Sequence, residues 1–588
     1  LAAGDTGQRR GEELRILAKS YDYIIVGGGT AGCVLANRLS ADPAVEVLLM
    51  EAGRDLVPGE EPSAILDPFP ASYGDPNIAW PSLIAEVGAD ISDGRPVYTR
   101  QFTQGRLLGG SSSINGMMAQ RGIPSDFDEW EALGAEGWGW EGVLPYFNRL
   151  ENDRDFGGPL HGKDGPIPIR RLQRNEWPPF VSAVADEIEA QGYAFHPDCN
   201  GYFGDSLTIV PMNNTPERRV SATMAYLDAK TRSRPNLTIM TDTVVERLLF
   251  DNRRVIGVTA VQSNQRSRFL ARETVVSAGA IHSPLLLLRS GIGPKKELAK
   301  AGIQVVADRP GVGRNLFNHP AIYLAVHLPR SSKQGRDVNA FGMAMLRYSS
   351  HHPDCPDGDM QMFPVGRTSW HPLGFRIGAL SVLLYKPFST GSVELNPDDP
   401  DGPPTIRFRL LSDKRDFERM VAGVAKAARI LASARVRSVT NEAFMPPGGQ
   451  ANALNRPSLF NWLKSGAINL LFDVPLGFRR LLLGKAVIDL DRLASDRDAC
   501  ARIVRETAAG VHHVSGTCKI GRSDDPMAVV DPSCRVYGVE GLRVADASIM
   551  PTVVSANTHI PVLMIGEKLA QIIEDERVAT DASGSRAA

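Results

Sequence analysis

The first ordered pattern along the chain is a short apolar strand, Tyr23 to Val26. It runs into Gly27-x-Gly29-x-x-Gly32 and then a helical spacing of Val34, Leu35 and Leu39. A second apolar run, "VEVLLMEAG", contains Glu51. Strand, glycine turn, helix, strand and acid in this order predict a dinucleotide-binding βαβ unit. Glycines permit the tight turn, the helix N-terminus faces a pyrophosphate, and an acid 19 residues past Gly32 can hold a ribose. The pattern is compatible with NAD and with FAD.

From about residue 55 to 160, Pro, Gly and Asp alternate with aromatic clusters, which predicts irregular structure laid over a scaffold. Inside it lies "GRLLGGSSSINGMM", Gly105 to Met118. Its clustered backbone N–H groups and hydroxyls suit phosphate or ribityl oxygens, and a serine-rich turn reads the same way. Residues 216–320 return to α/β character. "LTIMTDTVVERLLF" and "RRVIGVTAVQ" predict paired strands, "ETVVSAGAIHSPLLLLRSGIG" a buried strand, a turn and a helix, and "GVGRNLFNHP" closes the block. The stretch from about 320 to 500 is Pro-rich, with strand-like runs such as "SVLLYKPFSTGSVEL". It also holds a helix capped by Ser412 or Asp413, with Phe417, Val421, Val424 and Leu431 as its core stripe. "GLRVADASIMP" and "PVLMIGEKLAQIIE" predict a strand and helix that rejoin the nucleotide unit. The fold class is α/β, a discontinuous Rossmann-like domain interrupted by a substrate-facing domain.

Composition narrows the function classes. The chain is 43% hydrophobic and 22% charged with a net charge of −2, so a globular protein is expected and nucleic acid is not a partner. Six cysteines without a C-x-x-C pair predict free thiols and, with them, a cytoplasmic setting. "LAAGDTGQRRGEELRILAKS" has no signal-peptide apolar region, and a removed upstream targeting segment stays compatible with it. Pro457 to Leu490 is apolar over most of its surface, broken at Pro475 and basic at Arg479, Arg480 and Lys485. It suits a lid over an apolar channel, a peripheral membrane contact or a buried helix pair.

Candidate chemistry sits in "VHHVSGTCKIG", Val511 to Gly521, and in "SANTHIP", which carries His559. These histidines could be ligands, bases or packed polar groups; a metal lacks a third and fourth ligand at usable spacing. His351-His352-Pro-Asp354-Cys355 has zinc-like residue types in a Pro/Asp-rich loop without a downstream partner pair. No metal is expected.

Five ordered blocks settle more. "VGGGTAGCVLANRLS…LLMEAG", "GRLLGGSSSINGMM", "SAGAIHSPLLLLRSGIG", "HHVSGTCKIG" and "ADASIMPTVVSANTHIP" together resemble the glucose–methanol–choline (GMC) family of FAD oxidoreductases, over about Tyr21 to Ile573. The resemblance implies FAD and a substrate domain of antiparallel sheet and helices. It implies that Gly27, Gly29, Gly32 and Glu51 hold the ADP half, with Val245 beside the adenine, and that Thr30, Ala31 and Ala52 also bind the cofactor. Arg106, Gly110, Ser111, Asn115, Gly116, Met117, Ala278, Asp546, Ala547, Thr558 and His559 are implied around the rest of the cofactor. It makes His513 the active-site base and places the second catalytic position, Asn or His in this family, at His559. Val511, His512, Met362 and Trp370 are expected to line the substrate pocket.

Covalent members carry a His directly before the Asn of the Gly-Gly-Ser block; Ile114 stands there, so non-covalent FAD is expected. The implied reaction is oxidation of a primary alcohol, with O2 or a quinone- or dye-type acceptor. A hydroxynitrile lyase would keep both histidines, whereas a fatty-acid photodecarboxylase has a Cys where Tyr385 stands. The expected parts are 15–160, 216–320 and 506–575 for the FAD domain and 161–215 and 321–505 for the substrate domain. A disordered tail is expected at 576–588.

Overall fold

The computed structural model describes residues 15–88, 98–336, 338–445, 454–456, 458–473 and 476–587. The opening residues 1–14, Pro457 and Pro475 lie outside the described residues.

One sheet is assembled from three distant parts of the chain. The strand Arg15–Val26 pairs in parallel with Val47–Met50 on one side and with Gln265–Val276 on the other. Leu237–Met240 extends the sheet beyond Val47–Met50, and Leu542–Val544 pairs with the end of Gln265–Val276. The central strands are buried on both faces, as a parallel sheet covered by helices requires. Thr30–Leu39, Gly279–Arg289 and His559–Ala587 are among those helices. The segment read as one partner of a strand pair is two elements. Leu237–Met240 belongs to the parallel set, and Thr243–Asp251 pairs antiparallel with Arg254–Gln262.

The second sheet has eight strands and is antiparallel except at Phe195–Asp198 with Ser206–Ile209. Its centre runs Pro320–His327, Ile377–Leu384, Met360–Val365 and Ala344–Tyr348. The helix Lys414–Ala432 covers it, capped by Asp413, whose carboxylate accepts from Arg415 N–H at 2.8 Å. Val421, Val424 and Leu431 are buried as a core stripe should be, and Phe417 is half-buried under Arg505.

Two expectations need correction. Residues 576–587 continue the helix His559–Ala587 and are not a disordered tail. Glu576 is held by Arg535 and Arg543, both at 2.6 Å, and Arg577 reaches Asp42 at 2.6 Å. The apolar stretch after Ser458 is not a buried helix pair. Its helices, Leu459–Phe472 and Leu476–Leu483, lie at the surface with Leu459 75% and Leu481 75% exposed. Among the described residues no helix is long and apolar enough to cross a membrane.

A buried ion-pair knot supports the loop Met117–Gly122. Arg121 bonds Glu151, and Arg171 reaches Asp153 at 2.9 Å. His161 lies between them, with Nε2 2.8 Å from Asp198 and Nδ1 3.2 Å from Asp153. Glu151, Asp153 and His161 have the spacing of metal ligands, but the two guanidiniums already neutralise two of the carboxylates. Burial alone would lower the His161 pKa; Asp153, Asp198 and Glu151 outweigh it and raise it to about 10. A folded-state pKa raised above the unfolded value gives stability that is fully present below about pH 6.5 and is lost as pH rises through about 10. His161→Gln is therefore expected to cost about 3 kcal/mol at pH 6. The gap in melting temperature from wild type should close as pH approaches 10. A gap that widens with pH would mean His161 is neutral in the fold.

Candidate active site

The glycine turn packs as its sequence requires. A Cβ on Gly32 would lie 2.0 Å from the Gly27 carbonyl oxygen, so only glycine lets the helix approach the strand this closely. The helix Thr30–Leu39 starts at Gly29 without a side-chain cap and without an acid in its first turn. Its first N–H groups are thus left for an anion, with Thr30 and Ala31 in that turn. Above Gly29 the nearest atom to an added Cβ is 3.8 Å away, so the cradle is open on that side.

Glu51 accepts from Gly28 N–H at 2.9 Å and from Gly53 N–H at 2.8 Å. Burial raises its carboxyl to about 7 against these hydrogen bonds. Arg106 donates to the Ala52 carbonyl at 3.2 Å, and Val245 follows Thr243, whose N–H reaches the Glu51 carbonyl at 2.9 Å. The second glycine loop lies back to back with the first. Gly109 N–H donates to the Gly28 carbonyl at 2.7 Å, and a Cβ on Gly110 would meet Gly29 Cα at 2.9 Å. Ser111 accepts from Gly105 N–H at 3.1 Å. Asn115 accepts from Met117 N–H and from the buried Arg219, while Gly116 lies against the Phe341 ring.

Asp546 caps the neighbouring helix: its carboxylate accepts from Gly279 N–H at 2.9 Å and from Ser283 at 2.5 Å, beside Ala278. Ala547 accepts from Gly516 N–H at 3.0 Å through its carbonyl. Thr558 is half-buried just ahead of His559. The buried His559 Nε2 has no hydrogen-bond partner, and its Nδ1 is 3.4 Å from Thr30 Oγ1 at the anion-facing turn. An open glycine cradle, an uncapped helix start and an orphaned buried nitrogen beside it fit the diphosphate of FAD.

Two distant segments meet to build the corner that holds His513. Phe317 and Ser515 exchange backbone hydrogen bonds of 3.0 and 3.2 Å, Val511 N–H reaches the His319 carbonyl at 3.0 Å, and Pro320 pairs with Gly510. This short ladder sets His319 opposite His513, with their Nδ1 atoms 2.8 Å apart. Gly516 ends the His513 turn at φ +88°, where a Cβ would also strike the Asn315 carbonyl at 2.4 Å. On its other side, His513 Nε2 is 3.0 Å from the Asn557 amide nitrogen. Tyr385 donates its hydroxyl hydrogen to Asn557 Oδ1 at 3.4 Å.

These contacts assign the hydrogens. Tyr385 on Oδ1 turns the Asn557 NH2 toward His513, so Nε2 accepts and the ring hydrogen sits on Nδ1. That hydrogen is donated to His319 Nδ1, and His319 carries its own on Nε2. Burial, with a smaller contribution from His512, lowers the His513 pKa to about 3, so the imidazole is neutral and able to take a proton.

The geometry differs from the expected pair of His513 and His559: Asn557 stands beside His513, and His559 faces Thr30. The helix begins at His559, which turns its ring back toward the glycine cradle. Met362 is a second correction. It lies in the core between the sheet and the covering helix, while its neighbour Phe363 joins the apolar wall with Met117, Phe341, Tyr385 and Val511. Trp370 holds the Asn455 carbonyl at 2.7 Å and is not part of that wall. His512 is exposed at the mouth, bonded to Tyr73 and tilted against Phe102. His319 and Asn557 were missed, although both lie in quoted blocks, "GVGRNLFNHP" and "SANTHIP".

Known proteins share this architecture. The family models described as GMC oxidoreductase match residues 21–321 and 387–566. The chain is 41% identical over 566 residues to a 5-(hydroxymethyl)furfural oxidase of Methylovorus sp. (strain MP688), covering 94% of this chain and 98% of that one. It is 33% identical to the mitochondrial choline dehydrogenase of Homo sapiens, covering 99% and 95%. Among solved structures, a pyridoxine 4-oxidase from Mesorbium loti superposes with a TM-score of 0.76 at 28% identity, covering 94% and 99%. With the cradle, the neutral histidine and these matches together, the chain belongs to the GMC oxidoreductase family, as an FAD-dependent oxidoreductase acting on CH–OH donors.

Proposed function

We propose that the protein oxidises a primary furanic or aryl alcohol to the aldehyde, with His513 as base and Asn557 as its partner on the alcohol oxygen. The observation that carries this reading is the pairing of an acceptor nitrogen with an amide donor 3.0 Å away. The two can flank one hydroxyl. Nε2 takes its proton while the Asn557 N–H donates to the oxygen as charge develops there. FAD, when bound, supplies the hydride acceptor at N5. His319 is a positioning residue: its Nδ1 holds the His513 hydrogen and keeps the lone pair on Nε2.

Phe341, Phe363, Tyr385 and Val511 make an apolar wall suited to a flat, uncharged ring. The relative named 5-(hydroxymethyl)furfural oxidase supports the same substrate class. Gly27, Gly29, Thr30 and Gly32 would hold the diphosphate, Glu51 the ribose, and Gly110 to Met117 the flavin side. Ile114 is 3% exposed and packed on Leu56 and Ile78, and its side chain has no nucleophilic atom, which supports non-covalent FAD. Tyr385 is fully buried with its hydroxyl engaged on Asn557, which favours alcohol oxidation over decarboxylation of a fatty acid.

Anaerobic mixing with furanic, aryl and aliphatic alcohols and choline tests the proposal. Flavin bleaching is expected to be fastest with the furanic and aryl alcohols. Admission of oxygen then separates direct reoxidation from dependence on a quinone-type acceptor. Release of cyanide from a cyanohydrin without bleaching would make the protein a lyase instead.

A further inference from the structure

We propose that the consecutive helices Leu459–Phe472 and Leu476–Leu483 seat this enzyme on an anionic lipid surface. The first helix is turned inside out. Asn461, Ser465, Asn469 and Phe472 fall on one face by helical spacing, and that face meets the protein: Ser465 and Phe472 are buried, Asn461 and Asn469 half-buried. The opposite face carries Leu459, Phe460, Leu463 and Leu470, exposed to 75%, 72%, 57% and 67%. A surface helix of a globular protein arranges its polarity the other way round. Trp462, Leu471 and Leu481 widen the patch. Seven of the fourteen large apolar side chains exposed among the described residues are thus gathered in this one stretch, whereas most of the others are scattered singly.

Charge identifies the phase that covers it. Between Arg456 and Lys485 the chain carries five basic residues and one acid, in a protein of net charge −2. The acid, Asp473, is bound by Arg330 at 2.7 Å and Arg376 at 2.8 Å, so it presents little negative charge outward. Arg456, Lys464, Arg480 and Lys485 are exposed. Outward Leu, Phe and Trp with a basic fringe are what an interfacial helix presents to acyl chains and anionic headgroups. Neither helix is long enough to cross the bilayer, so the contact lies in the interface.

The seat adjoins the substrate entrance. Asn455, just ahead of the first helix, accepts from Trp370 and Ser369 and lies against Gly74. The residue before Gly74, Tyr73, is bonded to His512 at the mouth of the site. The entrance would thus open beside the headgroup layer.

The test is flotation of the FAD-loaded wild-type enzyme with phosphatidylserine-containing vesicles and with phosphatidylcholine alone. Binding is expected with the first, weakening with added salt. The combined variant Leu459→Gln, Phe460→Gln, Leu463→Gln and Leu470→Gln should bind at least roughly tenfold more weakly. Lys464→Glu, Arg480→Glu and Lys485→Glu together should lose the preference for anionic lipid. Flavin content and turnover of a water-soluble alcohol should stay unchanged in both, which separates this proposal from the catalytic one. Absence of wild-type binding at low salt overturns the proposal, as does full binding by the four-glutamine variant. A wild-type dimer that the four-glutamine variant turns into monomers would show that a second copy covers this face, and overturns it too.

Discussion

His513→Ala is expected to slow flavin reduction by roughly 10²–10⁴-fold, the usual worth of a positioned acid–base group. FAD content should not change, because the ring acts toward the open site and the cradle is built from other residues. With a pKa lowered to about 3, the wild-type His513 imidazole is neutral across the working range. Its reduction rate should be flat above about pH 5. His512→Ala should change selectivity more than limiting rate, since His512 contacts Tyr73 and Phe102 at the mouth. Stopped-flow absorbance of the flavin at several pH values ranks the variants. If His512→Ala abolishes reduction while His513→Ala stays active, the base is the other histidine.

The second large effect concerns Asn557. Asn557→Ala removes the donor to the developing alkoxide and should lower the reduction rate roughly 10²–10³-fold at saturating alcohol. Asn557→His should be milder, because an imidazole N–H can replace the amide. His559→Ala should leave the reduction rate near wild type and weaken FAD retention, since its ring stands against Thr30 at the cradle. The two readouts, reduction rate and flavin released on dilution, move in different variants. A rate loss in His559→Ala equal to that in His513→Ala, with Asn557→Ala fully active, would restore His559 to the catalytic pair.

The glycine fingerprint, Glu51 and the discontinuous nucleotide fold were legible because each rests on local chemistry. Gly32 has no room for a Cβ, and a buried parallel strand reads as a continuous apolar run. The errors arise where local pattern carries no direction. In "SANTHIP" the helix starts at His559, and that starting point decides which residue faces the base; the letters do not mark it. In "MQMFPV" all six residues are buried, so no alternation separates Met362 in the core from Phe363 on the wall. His319 is a polar residue in a Pro-containing loop, and its partner lies 194 residues away. The apolar stretch around Leu459 was visible, but its polarity turned outward appears only once packing says which face meets the protein.

The parallel sheet imposes an order on synthesis. Arg15–Val26 and Gln265–Val276 emerge from the ribosome long before Leu542–Val544, which completes their sheet. The substrate sheet, whose strands run from Phe195–Asp198 to Ala443–Phe444 and close with Ala509–Gly510, is also translated before that strand. The nascent chain thus carries an unfinished nucleotide sheet with a bare edge through most of its translation, and the helix that sets His559 against Thr30 arrives later still. The glycine cradle is therefore translated more than 500 residues before His559, which stands against it.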